Sequence, residues 1–156
     1  MLKSTIAGLR RLLDGQRVLS LAVLADGAPH VGLLPYVALP DRSGVLVHAS
    51  QLARHSRGLA AGARVGVLLH EPDGADQDPL QIRRVTFDCR VLPLERGSDA
   101  WTAGRARYVE RFPDSQVTFG LGDFTLYRLE FLHGTYVEGF ARAIAVPAED
   151  ILRLAD

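Results

Sequence analysis

Residues 45–59 read VLVHASQLARHSRGL, an apolar run followed directly by a segment rich in basic and hydroxyl side chains. The apolar run predicts a buried strand that ends at Ser50, and the following segment predicts a short helix over residues 52–61. Four hydrogen-bonding side chains would then crowd its first turns: Arg54, His55, Ser56 and Arg57. A helix N-terminus offers free backbone N–H groups and a partial positive charge. We therefore predict that this segment binds a phosphate-bearing ligand.

The same segment also fits a plainer interpretation, a solvated helix face with a capping serine. Arginine and histidine on a helix surface often bind nothing specific. The strand–turn–helix context favours the ligand, because it directs the helix start toward a cleft.

Turns and apolar runs surround this segment on both sides. Apolar residues at helical spacing predict an N-terminal helix that ends near Gly15. Asp26-Gly27 is typical of a tight hairpin, and Pro35 predicts a break or bend in the returning strand. Further helices are predicted from Ser98 to just before Pro113 and from Pro147 onward. Strands are predicted over residues 17–25, 28–39, 45–50, 64–70, 83–94, 124–131 and 135–140, the last two as a hairpin around His133-Gly134.

Strands in hairpin order favour an antiparallel sheet over a doubly wound parallel one. Closure into a small barrel removes the exposed sheet edges. We therefore predict a mainly β (α+β) fold of six or seven antiparallel strands with short flanking helices. A length of 156 residues suits one domain, residues 1–156.

Composition narrows the possible partners and compartments. Eighteen basic and eighteen acidic residues give a formal net charge of zero, which argues against a general nucleic-acid binder. No apolar segment is long enough to span a bilayer, and no signal peptide is evident, so we predict no membrane partner. Cys89 is the only cysteine, which is consistent with a reducing cytoplasm and excludes an internal disulfide.

Outside the Ser50–Arg57 cluster, the candidate residues are few. Pro35 and Tyr36 fit either a place where a flat ligand approaches the backbone or an edge strand. Arg84 is on the polar face of a strand, and its charge suits the electron-rich edge of a ring system. No histidine pair has metal-ligand spacing, so no metal site is predicted, although a lone histidine as a haem ligand needs no motif.

Taken in order, short motifs along almost the whole chain resemble the pyridoxamine 5′-phosphate oxidase-like flavoproteins, and among them the haem-utilisation (HugZ-type) branch. The segment SQLARHSRGL, residues 50–59, is similar to the S-x-L-A-x-H-T-x-N-L of that branch. Further matching segments are DGAPH at 26–30, PYV at 35–37, RVGVLL at 64–69, RYVERFP at 107–113, DFTLYRL at 123–129 and GFARA at 139–143.

The resemblance implies a split β-barrel that forms a homodimer, with FMN in two clefts between the subunits. Carried over position by position, the cofactor-binding residues are Pro35, Tyr36, His48, Ser50, Arg54, His55, Ser56, Arg84 and Arg142. The triplet at residues 54–56 would hold the phosphate, and His48 and Ser50 would line the approach to it. Pro35 and Tyr36 would border the isoalloxazine, Arg84 would lie near its polar edge, and Arg142 would reach the ring across the dimer interface.

The resemblance further implies an FMN-dependent oxidoreductase that acts on an unidentified small-molecule substrate. The oxidase proper has an Arg-Lys pair where this chain has Arg54-His55, so we do not expect vitamin B6 oxidation. Two alternatives stay open: a haem-binding or haem-degrading utilisation protein of the same fold, and a non-enzymatic flavin-binding module. No catalytic residue is predicted, because the flavin itself would carry the electron chemistry.

Overall fold

The computed structural model describes all residues from Met1 to Asp156. Its α-helices are α1 (Lys3–Gly15), α2 (Asp99–Arg111), α3 (Gln116–Phe119) and α4 (Ala148–Leu152). Its strands are β1 (Val18–Ala25), β2 (Ala28–Ala38), β3 (Gly44–Ser50), β4 (Arg64–His70), β5 (Arg84–Pro93), β6 (Phe124–Val137) and β7 (Ala143–Val146). Short 3-10 helices cover Arg54–Gly58, Pro79–Gln81 and Pro113–Ser115. None of the α-helices combines the length and apolar content that crossing a bilayer requires.

The strands form one antiparallel sheet in the order β3-β2-β1-β4-β5-β6-β7. A further pairing of β3 with β6 closes the first six strands into a barrel. The extra strand β7 pairs with the last four residues of β6. Closure satisfies the backbone groups that a free sheet edge would expose. The predicted fold of six or seven antiparallel strands with short helices is confirmed.

Strand β2 changes its partner at Pro35. Up to that residue it pairs with β1, where Pro35 lies opposite Val18. From Tyr36 onward it pairs with β3, where Tyr36 lies opposite Val47. Proline cannot donate a hydrogen bond to a sheet ladder. The predicted break or bend is therefore a change of partner within a continuous strand.

The β1–β2 hairpin turns at Asp26 and Gly27, as predicted, and both residues have positive φ angles, 54° and 78°. That conformation belongs to the two-residue turns that match the twist of paired strands. Strand β1 is apolar on both faces, yet only its inward side chains are buried. Val18 and Leu24 point outward and are exposed, so no part of this chain covers the outward side of the hairpin.

Two apolar cores hold the fold together. The larger one fills the barrel, and α1 closes one barrel end with Leu9, Leu12 and Leu13. Cys89 belongs to this core, where burial raises the pKa of its thiol. The smaller core lies between the outside of β3 and β6 and the helices α2 and α3. Its members are Val37, Leu46, Tyr108, Phe119 and Leu126.

The predicted hairpin around His133-Gly134 is wrong, because β6 runs unbroken through both residues. Gly134 lies so close to β5 that a Cβ there would overlap the carbonyl oxygen of Thr86 and lie 2.7 Å from the Phe87 ring. The glycine therefore permits close strand pairing, whereas the sequence pattern suggested a turn. The pairing is irregular beside His133: Asp88 pairs with His133 and Cys89 pairs with Phe131, so Leu132 of β6 is an extra residue without a partner on β5.

The predicted helix over residues 52–61 is also wrong: only the 3-10 helix Arg54–Gly58 forms. A helix there would need an apolar stripe, but Leu52 is 87% exposed while Leu59 is 2% exposed. The Ser56 hydroxyl donates to the Ser50 carbonyl oxygen at 2.6 Å, and such local bonds compete with helical ones. A Cβ on Gly58 would lie 2.5 Å from that of Val23, which shows how tightly this segment packs on β1.

Candidate functional site

The three residues predicted to hold a phosphate do not converge on one point in this chain. Ser56 uses its hydroxyl to bond the Ser50 carbonyl. His55 packs over β2, where a Cβ on Gly32 would lie 2.8 Å from His55 Nδ1, and its buried Nε2 has no partner. Arg54 alone is exposed and without a hydrogen bond or ion pair. The helix that forms here is the short 3-10 helix Arg54–Gly58, so the N-terminus expected to bind the anion belongs to a shorter element than predicted.

Arg57, the fourth basic or hydroxyl residue of the segment, is already paired. Its Nη1 lies 2.7 Å from Asp26 Oδ2 in the β1–β2 turn. Both side chains are largely exposed, so this pair adds little stability but does occupy the guanidinium.

His48 and Ser50, predicted to line the approach to the phosphate, lie on the other side of β3 against α3. The His48 ring stacks on Phe119 with centroids 3.8 Å apart, and its Nδ1 is 3.2 Å from Thr118 Oγ1. Burial, assisted by the charge of Arg96, lowers the pKa of His48 to about 4. Ser50 Oγ donates to Asp123 Oδ2 at 2.9 Å. His48 is therefore a neutral side chain of the smaller core.

Pro35 and Tyr36 occupy the partner switch of β2. Pro35 is exposed, whereas Tyr36 is fully buried and donates its hydroxyl to the Leu13 carbonyl at 2.6 Å. Burial raises the pKa of Tyr36 above its ordinary value. The Tyr36 side chain closes the barrel over α1, so an external ligand could meet only its backbone.

Arg84 and Arg142 lie apart from the 54–56 triplet. Arg84 Nη1 donates to the Ile82 carbonyl at 3.0 Å, which holds the guanidinium against its own strand. Arg142 Nη2 lies 3.2 Å from Glu138 Oε2 and lines a separate cavity at the α1 end of the barrel. The nine predicted residues therefore do not form one pocket within a single chain.

A concave surface also lies on the outward side of the sheet, which we call the outer face. A cavity of about 430 Å³ opens here. Cross-strand pairing sets Leu33 and Leu68 on either side of Ser20, and continues from Leu68 to Thr86 and Thr135. The outer face comprises Ser20, Ala22, Val31, Leu33, Gly66, Leu68, Thr86, Asp88, His133 and Thr135.

The outer face is apolar at one side and polar at the other. Val31 and Leu33 on β2 are each 68% exposed, which is unusual for large apolar side chains on neighbouring outward positions of a strand. Hydroxyl and charged groups on β5 and β6 form the other side. A contiguous exposed apolar surface bordered by polar groups marks a binding site.

His133 and Asp88 form the polar end of the outer face. His133 Nε2 lies 3.0 Å from Asp88 Oδ2, and Arg64 Nη2 lies 3.7 Å from the same oxygen. A carboxylate that holds one imidazole nitrogen fixes the ring and leaves the other nitrogen for a ligand. The sequence pattern does not reveal this pair, because it predicts a turn at His133.

The other histidines are less available. His48 is enclosed, and His70 Nδ1 lies 2.7 Å from the Glu71 carbonyl oxygen. Burial lowers the pKa of His55, with a smaller contribution from nearby His30. His133 is thus the one histidine that combines an exposed ring, a carboxylate partner and a place beside the open apolar cavity.

Comparisons with known proteins agree with this architecture. The family model of pyridoxamine 5′-phosphate oxidase matches residues 7–138. Over 141 residues the chain is 32% identical to the heme oxygenase HutZ of Vibrio cholerae, covering 88% of this chain and 78% of that protein.

Two solved structures share the fold of this chain. The crystal structure of HutZ, the heme storage protein of Vibrio cholerae, matches with 27% identity and a TM-score of 0.67, covering 93% of this chain and 94% of that one. A heme binding protein from Mycobacterium smegmatis matches with 24% identity and a TM-score of 0.85. That alignment covers 98% of this chain and 62% of the mycobacterial one, and it supports the fold alone.

Proposed function

Because the chain belongs to the pyridoxamine 5′-phosphate oxidase family, we propose that it is a haem-utilisation protein that binds haem at the outer face. The observation that carries this proposal is the 32% identity with the heme oxygenase HutZ over 88% of the chain. If the protein is an enzyme, we propose that it degrades the haem that it binds. Bound haem would supply the iron redox chemistry, and the protein would hold and orient it.

The residues of the outer face fit the chemistry of haem. Haem is a flat apolar ring with an iron that accepts a neutral imidazole and with two propionates that pair with cations. Val31 and Leu33 provide apolar surface, and Arg64 provides a cation close to the polar end. His133 is the proposed iron ligand, with Asp88 orienting its ring through the 3.0 Å contact.

We further propose that the protein is a homodimer with the cofactor at the subunit interface. The support is the uncovered apolar surface of the β1–β2 hairpin, where Val18, Leu24, Val31 and Leu33 are all exposed. A second copy of this chain would bury these side chains, and each Å² of apolar area removed from water contributes roughly 25 cal/mol. Haem at the edge of such an interface would contact both copies.

FMN is the second candidate ligand. It is favoured because the chain belongs to the pyridoxamine 5′-phosphate oxidase family. The residues expected to hold its phosphate fit it poorly, because Ser56 is committed to the Ser50 carbonyl and His55 packs on β2. Only Arg54 is open.

Parallel titrations of the ligand-free protein with hemin and with FMN test the proposal. We expect a Soret band that saturates at one hemin per subunit at micromolar concentration, and no saturable quenching of FMN fluorescence. A protein that binds FMN at micromolar concentration and leaves the hemin spectrum unchanged would contradict haem utilisation. Retention of FMN without reduction by NADH or NADPH would indicate the non-enzymatic flavin module.

A further inference from the structure

A second cavity, here called the arginine cavity, opens at the end of the barrel that α1 closes. Its volume is about 440 Å³, and three arginines on different elements line it: Arg11 on α1, Arg83 before β5 and Arg142 before β7. It shares no residue with the cavity of the outer face. Nothing in the haem proposal uses it.

The hydroxyl of Tyr136 faces this cavity and makes no hydrogen bond within the chain. Tyr136 is 1% exposed, so its ring lies in the barrel core while its polar end reaches the cavity wall. Gly8 leaves room for that hydroxyl, since a Cβ at residue 8 would lie 2.8 Å from Tyr136 Oη. Burial raises the pKa of Tyr136, which keeps the hydroxyl protonated as a donor. The hydroxyl is therefore open to the cavity and free to donate to a bound group.

The other polar residues that line the arginine cavity are Ser4, Gln81, Glu138 and the three arginines. Arg142 is paired with Glu138 at 3.2 Å and Arg83 with Glu71 at 3.7 Å, but Arg11 has no ion pair. Three arginines against two glutamates leave one positive charge in excess.

Gln81 adds a further donor. Its Oε1 accepts from the Phe140 backbone N–H at 3.2 Å, which leaves its amide N–H groups without a partner in the chain. A cavity whose uncommitted groups are donors and cations suits an acceptor-rich anion.

We propose that the arginine cavity binds a small organic anion through a phosphate or carboxylate group. Arg11 and Tyr136 are its principal contacts, because both present donors that no other group of the chain occupies. Arg83 and Arg142 contribute charge from their existing ion pairs. A volume of about 440 Å³ lies within the range of small-molecule sites.

The test titrates the haem-free chain of residues 1–156 with inorganic phosphate and, separately, with succinate. NMR resonances of the arginine Nε–Hε groups report the binding. We expect saturable shifts at Arg11, Arg83 and Arg142 with at least one of the two probes. The probe that binds more tightly tells whether the site favours a phosphate or a carboxylate.

Two variants and one control test which side chains of the arginine cavity bind the probe. Arg11→Gln and Tyr136→Phe should each weaken binding of that probe at least fivefold, because each removes an uncommitted donor while keeping most of the side-chain volume. Arg90→Gln, an exposed arginine on β5 paired with Glu130, should bind as the wild type does. Absence of saturable shifts with both probes would overturn the proposal, and so would wild-type affinity in both Arg11→Gln and Tyr136→Phe. Hemin binding by Arg11→Gln should stay unchanged, which separates this site from the outer face.

Discussion

The imidazole of His48 and the ring of Phe119 stack with their centroids 3.8 Å apart and their planes 10° apart. Strand β3 supplies the histidine and α3 supplies the phenylalanine. The contact joins the barrel to its helical cover, and it places a titratable group in the smaller core. Protonation of that histidine should therefore loosen the packing of α3 on the barrel.

The folded-state pKa of His48, about 4, lies below the ordinary value of 6.5 because burial disfavours the charged ring. The unfolded chain therefore binds more protons, and His48 lowers the free energy of unfolding as pH falls from about 6.5 to about 4. The full effect is at most about 3 kcal/mol. Urea unfolding of the wild type and of His48→Gln across this range measures it. We expect the wild type to lose stability more steeply than the variant, and equal slopes would contradict the account.

Leu33 tests the proposed dimer. A charge placed on this exposed apolar strand position should prevent a second copy from packing on the β1–β2 hairpin, because an unpaired charge at an interface is costly to bury. Sedimentation should show a dimeric wild type and a monomeric Leu33→Arg variant.

Val117→Glu is the matched control, since Val117 is equally exposed but lies on α3, away from the outer face. It should stay dimeric. A monomeric wild type at all accessible concentrations would remove the basis for an interfacial cofactor.

Gly134 tests the account of the β5–β6 pairing. Alanine there would place a methyl group against the carbonyl of Thr86 and the ring of Phe87, so Gly134→Ala should lower the free energy of unfolding by roughly 1–3 kcal/mol. Gly122→Ala, where a Cβ would meet nothing within 4 Å, should stay within about 0.5 kcal/mol of the wild type. Thermal or denaturant unfolding compares them. Equal stability of the two variants would mean that β6 does not follow this path.

Much of the fold could be predicted because its signals are local. Hairpin turns such as Asp26-Gly27, apolar alternation along β5 and the helical spacing in α1 each depend on a few neighbouring residues. The predictions at residues 52–61 and at His133-Gly134 were wrong because contacts between residues distant in the sequence determine the local structure there. Gly58 is fixed by Val23, and Gly134 is fixed by Thr86 and Phe87, and neither partner is visible in a local pattern.

The candidate site could be predicted less well for the same reason. Tyr36 and His48 are polar residues that the local pattern cannot tell from ligand contacts, yet the barrel and α3 enclose them. The Asp88–His133 pair forms only after β5 and β6 align. The outward residues of β1 include Val18 and Leu24, but whether they are exposed depends on which other elements cover them.

The haem proposal requires that His133 on the outer face ligates the haem iron. A hemin titration of His133→Ala beside His70→Ala tests this ligation, with the Soret position and the affinity recorded for each variant. His133 and His70 are both exposed, so neither substitution should disturb the fold. We predict that His133→Ala shifts the Soret band and weakens hemin binding at least tenfold, while His70→Ala matches the wild type. An unchanged spectrum and affinity in His133→Ala would contradict the claim.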